Sequence, residues 1–334
     1  MDRPWLNAYP QGVPADIPTP EFRSIREMIE HAFREYADRP AYSNMGSTLT
    51  YRDLDELSMQ FARYLQNTLG LTRGERVAIM LPNLLQYPVA LCGAFRAGLV
   101  VVNVNPLYTA RELRHQLADS GARAIVILEN FAHVLQEVIG DTQVEHVVTT
   151  GLGDLLRWPA RPITNFVVRY VKRAVPLYSL PGSVSFANAL RRGKQGELNH
   201  IELGFADIAF LQYTGGTTGV SKGAMLSHRN MVHNVFQTEA WTGGTFDDIE
   251  RNVAITALPL YHIFSLTANC LMFIYKGGNN VLITDPRDFP GFVKELNKYP
   301  FTFISGVNTL FNALLNTPGF DKVDFSSCLL YTSD

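Results

Sequence analysis

Short, continuous apolar runs alternate along this 334-residue chain with segments in which apolar residues recur every three or four positions. "RVAIML", "LVVVNV", "RAIVIL" and "HVVTT" are too short for helices and apolar on both faces, the pattern of strands buried inside a parallel sheet. Segments starting near Leu84, Thr109 and Asn130 read as helices between them. In "TYRDLDELSMQFARYLQNTLG", Leu54, Leu57, Phe61, Leu65 and Leu69 fall on one helical stripe, and Thr50 is placed to cap it. A second series opens at "DIAFLQY" and continues through "NVAITAL", "NNVLIT" and "FTFIS", with helical stretches near 228–240, 263–275, 288–298 and 307–316. Alternation of this kind predicts an α/β fold with two parallel-sheet βαβ units.

The length exceeds what one core usually holds, so two subdomains are expected. The pattern divides the chain into an N-terminal extension (1–30), a first α/β subdomain (31–154), a connecting segment (155–204), a second α/β subdomain (205–327) and an aberrant tail (328–334), whose "CLLYTSD" fits neither a capped helix nor a Gly-rich turn. Between residues 155 and 196 stand eight Lys or Arg (157, 161, 169, 172, 173, 191, 192, 194) and no Asp or Glu, with Trp158, Phe166, Tyr170 and Tyr178 interleaved. Two readings stay open: a solvated linker, or contact with an anionic membrane surface through residues 157–194.

Hydrophobic residues make up 46% of the chain and charged ones 18%, and the net charge is -2. These values exclude intrinsic disorder and give no reason to expect a nucleic-acid partner. Cys92, Cys270 and Cys328 are far apart in apolar surroundings and read as reduced thiols, which fits a cytoplasmic setting. "MDRPWLNAYPQG" has no apolar core of a leader, and Pro88, Arg96, Arg169, Lys172 and Arg173 interrupt the apolar stretches. Neither secretion nor a membrane span is expected, and any membrane contact would be peripheral, on the inner face.

The candidate chemistry lies in "LQYTGGTTGVSKGAMLSHRN", residues 211–230. The strand before it delivers a loop to the C-terminal edge of a parallel sheet, where open α/β folds bind ligands. Gly215, Gly216 and Gly219 let backbone N–H groups converge; Thr214, Thr217, Thr218 and Ser221 add hydroxyls, and Lys222 adds a cation. This inventory suits the phosphates of a nucleotide triphosphate. It is not a Walker A loop, because Ser221 precedes Lys222 and Gly223 follows it, and no GxGxxG is present.

"YTGGTTGVSKGAMLSHRN" resembles the phosphate-loop motif of the adenylate-forming enzymes, and "TYRDL", "GERVAIMLPN", "FRAGLVVVNVNPLYTARELRHQLADSGARAIV" and "ALPLYHIFSL" resemble further pieces of that family in the same order. "WLNAYPQGVPADI" and "LITDPRDFPGFVKELNKYPFTFISGVNTLFNALLN" look most like its bacterial long-chain fatty-acid–CoA ligases, and the resemblance runs from Trp5 to Ser327. It implies that a fatty carboxylate attacks the α-phosphate of ATP, with Mg²⁺, to give an acyl-adenylate from which coenzyme A takes the acyl group. It also implies that Tyr213, Thr214, Gly215, Gly216, Thr217, Thr218, Gly219, Val220, Ser221, Lys222, Gly223 and Ala224 contact ATP. Tyr261 and His262 would border the acyl and adenylate pocket; Ile263, Phe264, Leu266, Leu271, Phe273 and the residues of "FISGVNTLFNALL" read for the most part simply as core, and some of them could line an acyl tunnel.

Family members continue past "VDFSS" into a Gly-rich turn, an acidic motif for Mg²⁺, a ribose-binding Asp and a small domain with a catalytic lysine. None of these follows here. The second subdomain is therefore expected to be truncated and the small C-terminal domain absent, leaving no catalytic residue and no metal ligand to name and no turnover by the chain alone. A non-catalytic ATP- or lipid-binding module and an adenylate-forming ligase for an aromatic acid remain alternatives, and the oligomeric state is open.

Overall fold

The computed structural model describes residues 2–214, 220–242, 244–246 and 252–333. Among them two sheets carry the fold. The first has seven strands in the order β7 (Val184–Ser185), β6 (His146–Thr150), β5 (Ala124–Leu128), β3 (Arg76–Met80), β4 (Val100–Asn103), β8 (Ile208–Thr214) and β9 (Lys222–Ser227). The second has six, in the order β13 (Leu330–Ser333), β12 (Phe303–Gly306), β10 (Val253–Thr256), β11 (Asn279–Leu282), β1 (Pro40–Asn44) and β2 (Ser47–Thr50). All neighbours are parallel except the hairpins β1–β2 and β8–β9.

The α/β class and the parallel sheets are as the pattern indicates, but the strands do not assort along the division into 31–154 and 205–327. β8 and β9 complete the first sheet, and β1 and β2 extend the second. The reason lies in side chains that periodicity does not rank. Phe210 of β8 packs edge-on against Phe95 with ring centroids 5.2 Å apart, which draws the strand beside β4. Ser43 of β1 donates to Asn279 Oδ1 at 3.2 Å, and Tyr42 lies 3.1 Å from Cys270 Sγ, which fixes β1 against β11. Within the segment 328–334, Leu330–Ser333 pairs with β12 in parallel register.

Three apolar clusters stack the molecule as alternating layers of helix and sheet. Val77 and Ile79 face a central cluster, while their strand neighbours Ala78 and Met80 face an outer one with Leu113 and Leu117 of the helix Ala110–Ser120. Ile255, Val281 and Ile304 of the second sheet meet Phe292 and Leu296 on its own outer side. The helix Gln86–Arg96 is buried along its whole length in the central cluster, which also takes Ala254, Leu282 and Phe303 from the second sheet. Helix starts are set by local chemistry: Thr50 with Asp53, and Thr109 with Glu112, form reciprocal capping boxes. The three cysteines are free, and burial pushes the Cys270 thiol up to about 12 and that of Cys92 higher still. No helix among the described residues is long and apolar enough to cross a membrane.

Candidate functional site

The phosphate-loop motif closes the hairpin β8–β9, in which Thr214 stands opposite Lys222 and Tyr213 opposite Gly223. Gly215, Gly216, Thr217, Thr218 and Gly219 lie outside the described residues. Thr214, Val220, Lys222 and Ala224 are exposed, whereas Tyr213 is buried. Its ring lies over Gly223, where an added Cβ would sit 2.9 Å from Cε2 and Cζ, so the close approach requires glycine there. The Tyr213 hydroxyl donates to Asp119 Oδ2 at 2.5 Å, and its pKa is raised first by burial and then by this carboxylate. Ser221 Oγ donates to the Thr214 carbonyl at 2.7 Å, closing the loop's two ends on each other. His115 Nε2 donates to the Ser221 carbonyl, also at 2.7 Å, which places the proton on that nitrogen.

The end of the motif, "SHRN", is structural. Asn230 Oδ1 accepts from the Ser227 N–H at 2.9 Å and Ser227 Oγ accepts in return from the Asn230 N–H at 3.2 Å, starting the helix His228–Thr242. His228 is buried, and its Nδ1 accepts from the Ile25 N–H at 3.1 Å. Burial lowers its pKa to about 4, against a smaller upward pull from Asp207.

The second motif meets the first through buried polar side chains. Gln212 Nε2 donates to the Tyr261 carbonyl at 2.9 Å, and Gln212 Oε1 accepts from Asn103 Nδ2 at 3.2 Å. Asn103 Oδ1 in turn accepts from the Tyr87 hydroxyl at 2.8 Å. Asn83, from "IMLPN", binds the strand end that carries "ALPLYH": Nδ2 donates to the carbonyls of Thr256 (2.9 Å) and Leu258 (3.0 Å), and Oδ1 accepts from the Leu260 N–H (2.9 Å). Tyr261 therefore stands beside β8 at the C-terminal edges of both sheets. It is half-buried and lines a cleft of about 450 Å³ with Asn83, Leu107, Phe131 and Arg287. His262 is exposed and precedes the short helix Ile263–Ser265. Leu266, Leu271 and Phe273 are core residues and line neither this cleft nor its neighbour.

That neighbour, of about 540 Å³, shares Asn130, Leu152, Ile283, Thr284 and Asp285 with the cleft. One wall is the helix Ala160–Phe166 and the turn Val167–Val171 that continues it, from the basic connecting segment. The opposite side of this element faces solvent: Trp158 is 86% exposed, and Phe166, Tyr170 and Val171 are 58–64% exposed. Asn83, Asn103, His115, Asp119 and Gln212 are site residues that sequence reasoning passed over. Each is a single polar residue in an apolar or helical stretch, a signal that acquires meaning only once the partner is known. Among the described residues no group of three or more His, Cys, Asp or Glu forms a metal cluster.

A layered α/β body with a Gly/Thr/Ser/Lys hairpin and a Tyr-His motif at one sheet edge is the architecture of an adenylate-forming domain. Residues 29–333 match the model of the AMP-binding enzyme family, and the chain belongs to that family. It is 58% identical over 327 residues to the long-chain-fatty-acid–CoA ligase of Salmonella typhimurium and 30% identical over 326 residues to that of Bacillus subtilis. These alignments cover 98% and 97% of this chain but 58% and 57% of the relatives, so the chain spans little more than half their length. Its fold matches a long-chain-fatty-acid–CoA ligase from Archaeoglobus fulgidus at a TM-score of 0.77 and 21% identity, covering 97% of this chain and 60% of that one. An anthranilate CoA ligase in complex with anthranoyl-AMP matches at 0.77 and 20% identity, with 94% and 55% covered.

Proposed function

We propose that this chain forms the ATP- and acyl-binding part of a ligase that activates long-chain fatty acids to acyl-CoA through an acyl-adenylate. The observation that carries the reading is the hairpin itself, which presents Thr214 and Lys222 side by side and is tied through Gln212 to Tyr261. In the first half-reaction a carboxylate oxygen bonds to the α-phosphorus of ATP and the bond to pyrophosphate breaks. In the second, the thiol of coenzyme A takes the acyl group and AMP leaves. Neither step needs a nucleophile from the protein. Lys222 and the loop donors act on the charge that grows on the phosphate oxygens. Mg²⁺, when bound with the triphosphate, would supply further positive charge against that developing on the phosphate oxygens. The long-chain preference rests on relatives such as that of Salmonella typhimurium, 58% identical to this chain over 327 aligned residues.

The exposed aromatic and basic face of residues 157–177 supports a peripheral site on an anionic membrane, on its cytoplasmic side. Such a surface would deliver the substrate beside the larger cavity, whose wall is the same helix.

Calorimetry on the purified chain tests the reading without requiring turnover. A non-hydrolysable palmitoyl-adenylate analogue is expected to bind at least about tenfold more tightly than its benzoyl counterpart, the value of a few buried methylenes. Equal affinities would point to an aromatic acid. Lys222→Ala is expected to weaken ATP binding roughly 10- to 100-fold, the range for losing a charge-assisted contact. An unchanged affinity would remove Lys222 from the site.

A further inference from the structure

The helix Ala110–Ser120 carries two side chains that reach the phosphate-loop hairpin, and neither belongs to the Gly/Thr/Ser/Lys motif. Asp119 accepts from the Tyr213 hydroxyl at 2.5 Å on the strand that enters the loop. His115 donates to the Ser221 carbonyl at 2.7 Å on the stretch that leaves it. The two are four residues apart, on one face of one helix, so a single rigid element grips the loop on both sides. The rings of His115 and Tyr213 meet edge to face at 6.4 Å, which joins the two grips. The helix is itself held at Asn103, whose carbonyl accepts from Gln116 Nε2 at 2.8 Å.

We propose that His115 and Asp119 are positioning residues that set the two ends of the phosphate loop, and with them Thr214 and Lys222, before nucleotide arrives. The proposal rests on the reading of the hairpin as an ATP site. Fixing two anchor points removes rotational freedom from the flanking backbone, so that less order has to be gained when the phosphates bind. The anchors differ in kind. The Asp119 bond runs to a carboxylate oxygen and is the shorter, at 2.5 Å, whereas the His115 bond runs to a backbone carbonyl at 2.7 Å. Loss of Asp119 should therefore loosen the hairpin more than loss of His115.

Two measurements on the 334-residue chain separate the clamp from the ATP reading. The first is amide hydrogen exchange across β8 and β9 without nucleotide. His115→Leu is expected to speed exchange near Thr214 and Lys222 about tenfold and Asp119→Leu about thirtyfold. His115→Gln, which restores a donor, should stay within about threefold of the parent. Tyr213→Phe removes one hydroxyl without disturbing the helix and should behave as Asp119→Leu does, which keeps the test valid if a leucine variant fails to fold. The second is ATP affinity by equilibrium dialysis, expected to fall about tenfold in the leucine variants while palmitate affinity holds. Exchange unchanged in all variants overturns the clamp, whatever the nucleotide does. Faster exchange with ATP affinity intact overturns its link to nucleotide binding. A parent chain that binds no ATP overturns the ATP reading, and the exchange data then decide the clamp by themselves.

Discussion

Two regions of the molecule invert the usual partition of polar and apolar groups, in opposite senses. In the seam between the sheets Asn83, Tyr87, Asn103 and Gln212 are all buried, yet each has polar partners, on backbone or on one another. In residues 157–177 the large apolar groups Trp158, Ile163, Phe166, Tyr170 and Leu177 are exposed, Leu177 fully. The difference teaches what each inversion is for. A buried amide with fixed partners holds strand ends in one arrangement, and leaving such a group unpaired is costly. An exposed aromatic cluster contributes little to the folded chain and leaves apolar area free for another surface to cover.

The largest expected effect follows from breaking the seam. Asn83→Leu leaves the Leu260 N–H without its acceptor and takes one of two donors from each of the Thr256 and Leu258 carbonyls, which keep the Ile283 N–H and Ser265 Oγ, and is expected to cost roughly 3–5 kcal/mol. The midpoint and slope of urea unfolding measure it, and a loss below about 1 kcal/mol would refute the idea that Asn83 fixes the two sheets together.

Acidification should act next. The folded pKa of His228, about 4, lies below its unfolded value, so the unfolded chain binds the extra proton first. Stability from this group is intact above about pH 6.5 and falls as pH drops towards 4, by up to about 3 kcal/mol. Protonation also removes the acceptor for the Ile25 N–H. His228→Gln keeps an acceptor that does not titrate and should flatten the slope of stability between pH 6.5 and 4. An identical slope in the variant would assign the acid sensitivity to other groups.

The smallest effect on stability is expected at the exposed face. Trp158→Ser, Phe166→Ser and Tyr170→Ser should each shift the unfolding free energy by less than about 0.5 kcal/mol, while together lowering partition onto anionic vesicles. Replacing Lys172 and Arg173 by Gln should weaken vesicle binding by about 1 kcal/mol per charge, and added salt should weaken the parent. Arg169 should matter less, because it already pairs with Glu129 at 2.5 Å. Sharp destabilisation by the serine variants would place this face in the core and erase the contrast.

Much of the fold was legible because continuous apolar runs and capping residues act locally. The strands at Arg76–Met80, Val100–Asn103 and Ala124–Leu128 and the caps at Thr50 and Thr109 follow from neighbouring residues alone. The assortment of strands was hidden, because Val100–Asn103 and Val253–Thr256 are equally apolar and differ in what their buried polar neighbours bind. β9 was hidden for the opposite reason, since "KGAMLS" has no buried position and lies in the sheet through its backbone pairing with β8. At the site, the motif pointed to Tyr213, Ser221 and Lys222 but not to the helix that holds them. Asp119 sits 94 residues before Tyr213 and His115 106 before Ser221, and nothing in their own surroundings distinguishes them.

The placement of β1 in the second sheet also orders events in time. Asn44 Nδ2 donates to the Leu282 carbonyl, 238 residues further along. At ribosomal speeds of about 5–20 residues per second, the N-terminal hairpin waits on the order of tens of seconds for the strand it pairs with. During that interval its free edge is open to other chains, whereas β3, β4 and β5 find one another within some fifty residues. Nascent chains should therefore need a chaperone at the amino terminus first, and faults in synthesis before Leu282 should leave β1 and β2 as the segment most prone to aggregate.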